Sequence, residues 1–217
     1  MLYEMRRDNI GTAIYLLLLI AAFGLSVNPA IAQGQGGEIL FPLIENNVII
    51  ENDADNGSAI ASFNSSPMIR NNIIVDNGST DLTVGGAIYS YGTVSSPKIT
   101  GNTISLNTAA PGQVGGIYVE EGEAAISNCI LWQNGGDLWN SNATYSNVTS
   151  LSANPGPGNI SVDPAFVQTS NPDTTGYYRL SETSPCIDIG DPAYRPAAKE
   201  TDIKGCTRYL IMSHKWG

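Results

Sequence analysis

The chain has 217 residues, with 10 Lys and Arg against 20 Asp and Glu, so its formal net charge at neutral pH is −10. This length fits one domain, or one domain with a small appendage. The excess of acids repels phosphate backbones and anionic lipids, which excludes nucleic-acid binding and membrane-surface binding as expected functions. Three cysteines are too few for a disulfide scaffold.

The first 32 residues have the pattern of a secretory signal peptide. Arg6 and Arg7 supply the positive start, residues 13–25 form an uncharged apolar run, and the small residues Ala30 and Ala32 precede Gln33. The apolar run is shorter than the roughly 20 residues that a transmembrane helix needs. We therefore predict cleavage before Gln33, a secreted or cell-surface location, and no membrane span after cleavage.

Residues 33–140 contain an internal repeat. Four stretches follow the pattern P-x-I-x-N-N-x-I-x-x-N with few lapses, and their starts at Pro42, Pro67, Pro97 and Ala124 lie 25, 30 and 27 residues apart. Single aliphatic residues separated by polar residues and by Asn or Gly turns favour short, half-buried strands. Repetition at this period indicates a solenoid in which each repeat forms one coil.

Stacking the repeats predicts three interior columns of aliphatic side chains, one per strand of the coil. Their members are Ile44, Ile69, Ile99 and Ile126; Ile49, Ile74, Ile104 and Leu131; and Ile60, Ile88 and Ile117. Paired asparagines suit tight corners between strands, because Asn accepts left-handed backbone angles and bonds nearby main chain. We expect Asn47, Asn72 and Asn102 to stack as an amide ladder, with Cys129 on the next rung.

These repeats resemble the right-handed parallel β-helix repeat superfamily, which includes pectate lyases and many bacterial surface proteins. The residues after the last repeat resemble the closing module of choice-of-anchor Q proteins; the matching segments begin at Asn128, Val162, Tyr178, Ser184 and Thr201. The resemblance implies an all-β fold, a short right-handed parallel β-helix of about four coils, followed by an irregular closing module at 141–205. It also implies export, since members of that group are surface proteins.

The C-terminal end departs from the family pattern. Lys204 stands where the family has an acid, and residues 206–217 contain neither the expected strand nor an anchor. We expect these last residues to be a truncated or poorly ordered tail. A stack of only about four coils also exposes strand edges, which favours end-to-end self-association.

Three groups of residues have the chemistry of a catalytic or metal site. A polysaccharide lyase would use loop acids with Arg70 or Lys98 as base; the acids are Asp53, Asp55, Asp76 and Asp81. A glycosidase needs two carboxylates, for which Glu120, Glu121 and Glu123 are candidates by type. Hard oxygen ligands suited to Ca²⁺ are Asp188, Asp191 and Asp202.

No spacing in the sequence fixes an acid beside a base, so we assign no catalytic, cofactor-binding or metal residues. Trp132 and Trp139 are candidates for a sugar-stacking platform or for covering the open end of the stack. Cys129 and Cys186 are candidates for a disulfide, although Cys129 also fits an interior column as a free thiol. The expected function is a non-catalytic structural or carbohydrate-binding role, with extracellular polysaccharide or cell-surface components as partners. The alternative is a polysaccharide-active enzyme, a lyase or glycosidase, or a degenerate relic of one.

Overall fold

The computed structural model describes residues 42–78, 85–170, 177–196 and 200–201. The predicted signal peptide, Asp81, Asp202, Lys204 and residues 206–217 lie outside these ranges. Every strand in the described part is two to four residues long, and the strands alternate with corners and loops.

The strands form three parallel sheets. Sheet A contains β1 (Leu43–Glu45), β4 (Met68–Arg70), β7 (Lys98–Thr100), β10 (Ala125–Ser127) and β13 (Ala143–Thr144). Sheet B contains β2 (Val48–Ile50), β5 (Ile73–Val75), β8 (Thr103–Ser105), β11 (Ile130–Trp132) and β14 (Asn147–Val148). Sheet C contains β3 (Ile60–Phe63), β6 (Ile88–Tyr91), β9 (Ile117–Val119) and β12 (Leu138–Trp139). Successive coils contribute successive strands to each sheet, so the described residues form a parallel β-solenoid, as predicted.

The three interior columns pair in the predicted register. Ile69 lies opposite Ile44 and Ile99, and Ile126 follows in the same column. The columns of sheets B and C are aligned in the same way. These side chains are buried, except that Ile44 on the first described coil is only partly buried. Each buried aliphatic side chain contributes roughly 1.5–3 kcal/mol before conformational entropy is subtracted.

Asparagine side chains form the predicted ladder at the corner between sheets A and B. Asn46, Asn71 and Asn128 have φ between 55° and 59° and turn the chain. Asn47 and Asn72, which follow Asn46 and Asn71, are rungs of the ladder. The Oδ1 atom of Asn72 accepts hydrogen bonds from the backbone N and the Nδ2 of Asn47, at 3.0 and 3.1 Å. Asn102 does the same for Asn72. Cys129 stands on the next rung, where its thiol donates to the carbonyl of Ser127.

A second ladder, which the sequence did not predict, lies at the corner after sheet B. Its members are Asn52, Asn77, Asn107 and Asn134. Non-Asn residues occupy the left-handed position here, including Leu106 at φ 56°. Such angles cost a non-glycine residue about 1–2 kcal/mol, which the ladder bonds offset. The ladder ends on the buried Asp137, whose Oδ1 atom accepts from Nδ2 of Asn134 at 3.1 Å.

The solenoid narrows towards its C-terminal end. Rungs of the first ladder are 25 and 30 residues apart in the chain, whereas Ser146 follows Cys129 by 17 and Asn159 follows Ser146 by 13. The shortened coils pass through sheets A and B but add no strand to sheet C among the described residues. Sheets A and B therefore continue beyond residue 140, where the sequence analysis ended the repeats.

The segment after the solenoid covers the outer face of sheet B. Tyr178 is buried against Ile50, Ile73 and Val75, and Phe166 packs beside it. Glu200 reaches the outer face of sheet A, where its side chain is 1% exposed and lies 3.3 Å from the guanidinium of Arg70. Two of the three sheets thus carry contacts from the C-terminal segment on their outer faces.

Candidate functional site

The outer face of sheet C carries a column of stacked aromatic rings. Alternation along each strand sends Ile88, Ile117 and Leu138 inward, so the residue after each one points outward. Those outward residues are Tyr89, Tyr118 and Trp139, which pair in register on three successive strands. Phe63 and Tyr91 occupy a second outward column beside them. We call these five residues the aromatic face.

The ring geometry shows continuous packing along the solenoid axis. The rings of Tyr118 and Trp139 are nearly parallel, with 10° between their planes and 5.7 Å between centroids. Tyr89 stacks on Tyr118 at 6.0 Å, and Phe63 contacts Tyr89 at 5.6 Å in a tilted arrangement. Such pairs contribute about 0.5–1.5 kcal/mol each beyond the area they bury. The column therefore stabilises the stack as well as forming a surface.

The ends of the aromatic face are open. Tyr89 in the middle is 4% exposed, whereas Phe63 is 43% exposed and Trp139 is 49% exposed. Trp139 lies on the last strand of sheet C among the described residues, and its ring stacks on that of Tyr118. A flat ligand ring can therefore extend the column by packing on Trp139.

One carboxylate, that of Glu120, borders the aromatic face where the loop after β9 begins. Glu120 accepts a hydrogen bond from the hydroxyl of Tyr89. Burial, and then this bond to Glu120, raises the pKa of Tyr89 above its ordinary value of 10.0. Tyr89 is therefore a neutral hydrogen-bond donor at physiological pH. Glu121 and Glu123 lie on the same loop, whose backbone bonds to the neighbouring coil through the amide of Glu123 and the carbonyl of Ser95.

The structure does not bring the predicted lyase residues together. Asp53, Asp55 and Asp76 follow sheet B, whereas Arg70 ends a strand of sheet A and Lys98 begins one. Arg70 is also engaged, since its Nε atom lies 2.6 Å from Glu45 and its Nη1 atom 3.3 Å from Glu200.

The structure does not show the predicted glycosidase acids as a catalytic pair or the predicted metal ligands as a metal site within the described residues. Glu120, Glu121 and Glu123 share the loop that follows β9, and Glu120 contacts the aromatic face through Tyr89. Asp191 caps a local turn, because its Oδ1 atom accepts from the backbone N of Ala193 at 2.8 Å. Within the part of the chain that the structure describes, no three His, Cys, Asp or Glu side chains are grouped to hold a metal ion.

The two tryptophans do not form a joint platform. Trp132 ends a strand of sheet B and points outward there, whereas Trp139 points outward from sheet C. Both project from the sides of the solenoid, so neither covers its end. The prediction that they act together was wrong, because the coil that contains both places Trp132 on sheet B and Trp139 on sheet C.

Cys129 and Cys186 are free thiols in the structure rather than a disulfide. Both line a cavity of about 360 Å³ between the corner of sheets A and B and the C-terminal segment. Burial raises the pKa of Cys129 to about 11, so this thiol stays protonated at neutral pH. Cys186 accepts a hydrogen bond from Nδ2 of Asn147 at 3.2 Å.

A family model described as a right handed beta helix region matches residues 32–150, which is more than half of the chain. The chain belongs to this family. The match fixes the hand of the parallel solenoid and agrees with the predicted fold class. Comparison of this β-helix protein with curated proteins and with solved structures gave no match. Among its described residues, no helix is long and apolar enough to cross a bilayer.

The aromatic column was not predicted from the sequence of this β-helix protein, although a signal for it exists. The third interior column was recognised from Ile60, Ile88 and Ile117, and the next residue in two of those repeats is a tyrosine. Because the side chains of a strand alternate, the residue after a buried one faces outward. Aligning those outward positions between repeats would have revealed the stack.

Proposed function

We propose that this is an exported, non-catalytic β-helix protein that binds extracellular carbohydrate on the aromatic face of sheet C. The observation that carries the proposal is the stacked column of Tyr89, Tyr118 and Trp139, with Trp139 half exposed at its open end. Tyrosine and tryptophan offer rigid apolar surface together with a polar edge, which suits a sugar ring with its apolar face and its rim of hydroxyls. The negative net charge disfavours a nucleic-acid strand, which uses a basic groove along with aromatic stacking.

The distribution of covered and uncovered faces supports the same site. The C-terminal segment packs on the outer face of sheet B through Tyr178 and on that of sheet A through Glu200. The aromatic face is exposed at its two ends, through Phe63 and Trp139. A β-helix can present a long, shallow surface of this kind to a polymer chain, since equivalent residues recur at each strand spacing of roughly 4.8 Å.

Binding is tested with a panel of neutral, acidic and amino polysaccharides, by co-sedimentation for insoluble polymers and by affinity electrophoresis for soluble ones. Trp139→Ala and Tyr118→Ala should each weaken binding at least tenfold. Leu151→Ala, which changes an exposed apolar residue of the C-terminal segment, should leave binding unchanged. Equal binding by all four proteins would overturn the assignment of the site.

The absence of catalysis is part of the proposal. Incubation with the same panel, with and without Ca²⁺, should release neither new reducing ends nor unsaturated products. Product formation would favour the alternative of a polysaccharide lyase or glycosidase.

Export and surface display are supported by the N-terminal pattern and by the resemblance of residues 141–205 to the closing module of choice-of-anchor Q proteins. In a host with a matching secretion pathway, the protein should leave the cytoplasm and begin near Gln33. Mass spectrometry that finds an intact Met1 start in the cytosolic fraction would contradict this part of the proposal.

A further inference from the structure

We propose that Asn56 is a site of self-modification, at which the side-chain amide is lost by deamidation. In this reaction the backbone nitrogen of Gly57 attacks the Cγ atom of Asn56 and ammonia leaves, which closes a cyclic succinimide. Water then opens the succinimide, so that aspartate or isoaspartate replaces asparagine. The reaction consumes water alone, and the proposal does not depend on the proposed carbohydrate-binding function.

The sequence offers three places for this reaction. A glycine after asparagine favours it, because a residue without a Cβ atom leaves its backbone nitrogen open to attack. The asparagines followed by glycine are Asn56, Asn77 and Asn134. Two of them lie in the same tetrapeptide, since residues 55–58 and 76–79 both read Asp-Asn-Gly-Ser. A difference between Asn56 and Asn77 in the folded protein therefore comes from the structure rather than from the neighbouring residues.

The second ladder holds the side chain of Asn77 in place. Its Nδ2 atom donates to two backbone carbonyls and to Oδ1 of Asn107, each at 3.0 Å. Its Oδ1 atom accepts from the backbone N and the Nδ2 of Asn52, at 3.1 and 2.8 Å. The nucleophile is occupied as well, because the N–H of Gly78 donates to the carbonyl of Asn52 at 2.9 Å. Attack on Cγ therefore requires these bonds to break in a local opening of the coil.

Asn134, at the end of the same ladder, is held in a similar way. Its Nδ2 atom donates to the carbonyl of Ile104 at 2.9 Å and to Oδ1 of Asp137 at 3.1 Å. Its Oδ1 atom accepts from the backbone N and the Nδ2 of Asn107, at 3.2 and 3.0 Å. Asn77 and Asn134 are also fully buried, so both amides are protected for as long as their coils stay closed.

Asn56 lies outside the ladders, on the loop that leads to β3. Its side chain forms no hydrogen bond with the described residues, and its Oδ1 atom is enclosed without a donor. An enclosed carbonyl oxygen without a donor is unfavourable, so this amide is held less firmly than that of Asn77. Among the described residues, the N–H of Gly57 likewise donates to no carbonyl. Neither reacting group has to be released from a hydrogen bond before the two meet.

The reaction changes the loop before β3. Either product adds a negative charge to a loop that already carries Asp53 and Asp55, and isoaspartate also lengthens the main chain by one carbon. The backbone is closely packed here: Gly57 has φ 62°, and a Cβ atom on it would come within 2.4 Å of the carbonyl oxygen of Ile60. A lengthened chain therefore displaces the start of β3, and the modified protein should melt at a lower temperature than the unmodified one.

The test incubates the folded protein at pH 8 and 37 °C and follows the three Asn-Gly sites by peptide mass spectrometry, with enzymatic methylation to detect isoaspartate. Asn56 should lose its amide at least tenfold faster than Asn77 or Asn134. In concentrated denaturant the ladders are gone, so Asn56 and Asn77 should then react at the same rate.

Two variants connect the chemistry to its effect on the fold. Asn56→Gln should keep its melting temperature through the incubation while that of the wild type falls, because glutamine would have to close a larger ring. Asn142→Gln changes an exposed asparagine that is followed by alanine; it is the matched control and should age as the wild type does.

Equal rates at Asn56 and Asn77 in the folded protein would overturn the proposal, since the two share a tetrapeptide. So would a difference that is as large in denaturant as in the folded state, because the ladder would then not be its cause. If the melting temperature of Asn56→Gln falls as far as that of the wild type, modification of Asn56 is not what weakens the aged protein, and the effect on β3 is refuted.

Discussion

Arg70 is the residue on which the contact between solenoid and C-terminal segment most depends. Its guanidinium lies against Glu45 and against the buried Glu200, which also accepts hydrogen bonds from Nδ2 of Asn71 at 3.1 Å and from the hydroxyl of Tyr194 at 2.6 Å. A buried charge requires a charged partner or extensive hydrogen bonding, and Arg70 supplies an opposite charge to Glu200.

Arg70→Ala should therefore lower the free energy of unfolding by about 3–5 kcal/mol, the range for removing one partner of a buried ion pair. Lys98→Ala, which removes the exposed base of the adjacent strand in the same sheet, should cost less than about 0.5 kcal/mol. Urea unfolding followed by circular dichroism measures both. A similar, small loss in the two variants would show that Glu200 is not held by Arg70.

We expect the charge of Asp76 to lower the stability of the fold slightly at neutral pH. Burial, and then repulsion from Glu51 on the preceding coil, raises the pKa of Asp76 above its ordinary value of 3.8. The folded state therefore binds a proton more tightly than the unfolded state does. This contribution is fully favourable below pH 3.8 and is lost as the pH rises through the raised pKa.

Asp76→Asn should accordingly increase stability at pH 7 by about 0.5 kcal/mol, the scale of a partly exposed charge interaction. Asn also tolerates the left-handed backbone of this position, where φ is 54°. The gain should disappear below pH 3.8. Asp55→Asn, in the exposed loop nearby, is the control and should leave stability unchanged. The measurement compares the denaturant midpoints of both variants and the wild type at pH 3 and pH 7. A wild type as stable as Asp76→Asn at pH 7 contradicts the expectation.

At the scale of the element, the ladder between sheets A and B contains one weak rung. Asn72 is held on both sides by amide hydrogen bonds of 3.0–3.1 Å. Asn102 instead faces the sulfur of Cys129, which is a poorer acceptor than an amide oxygen. Cys129 in turn donates its backbone N–H to the hydroxyl of Ser146 at 3.0 Å.

Cys129→Asn should complete the ladder and raise stability by about 0.5–1.5 kcal/mol, the net value of a hydrogen bond. Cys129→Ala should lower stability, because it leaves Asn102 without that acceptor and opens a small cavity. Denaturant unfolding of the two variants gives the comparison. If the Asn variant is the less stable of the two, steric fit rather than hydrogen bonding determines this rung.

The ladders and interior columns differ in how far sequence alone predicts them. The columns at Ile69 and Ile74 were predictable because an inward aliphatic residue recurs in every repeat, and burial tolerates no other residue type there. The second ladder was visible as a recurring Asn, but its geometry places Leu106 and similar residues in the left-handed region, which sequence patterns do not suggest. The path of the C-terminal segment was not predictable, because its packing depends on single contacts such as Tyr178 with Val75.

The candidate site was likewise predictable only in part from the sequence. Glu120 and Trp139 were noticed as residue types, but nothing local in the sequence places them on the aromatic face, since Glu120 meets Tyr89 across 31 residues and Trp139 pairs with Tyr118 across 21. The prediction that Trp132 and Trp139 share a platform was wrong because the two residues lie on different sheets of one coil. Short separation in the chain is a poor guide to proximity where each coil turns through three sheets.

At the scale of the whole molecule, the C-terminal segment covers apolar residues of the solenoid, and the solenoid provides the surface on which this segment is ordered. Outward-facing Ile50, Ile73 and Val75 would form an exposed apolar strip without Tyr178 and Phe166 above them. The segment itself has isolated bridges rather than strands, such as that between Phe166 and Leu180. Its order therefore depends on docking, whereas the coils are held by their own ladders.

Tyr178→Ser should release this segment without unfolding the coils. Hydrogen exchange should lose protection between residues 161 and 196 while amides of the interior columns remain protected. The bared strip should promote self-association, seen as concentration-dependent elution in gel filtration. Val167→Ser changes an exposed residue of the same segment and should have neither effect; protection that is lost everywhere would instead show a single cooperative unit.

The ladder that ends at Asp137 also gives the molecule an electrical polarity. In every rung the amide oxygen faces the N-terminal end and an N–H faces the next coil, from Asn52 through Asn77 and Asn107 to Asn134. Aligned amides of this kind add up as peptide groups do in an α-helix, leaving partial positive charge at the end of the row. Asp137 sits at that end, where its carboxylate also accepts from the backbone of Thr149 at 2.6 Å. A stack of coils with this ladder therefore has a distinguishable head and tail, and the hydrogen bonds at the positive end partly offset the burial that raises the pKa of Asp137.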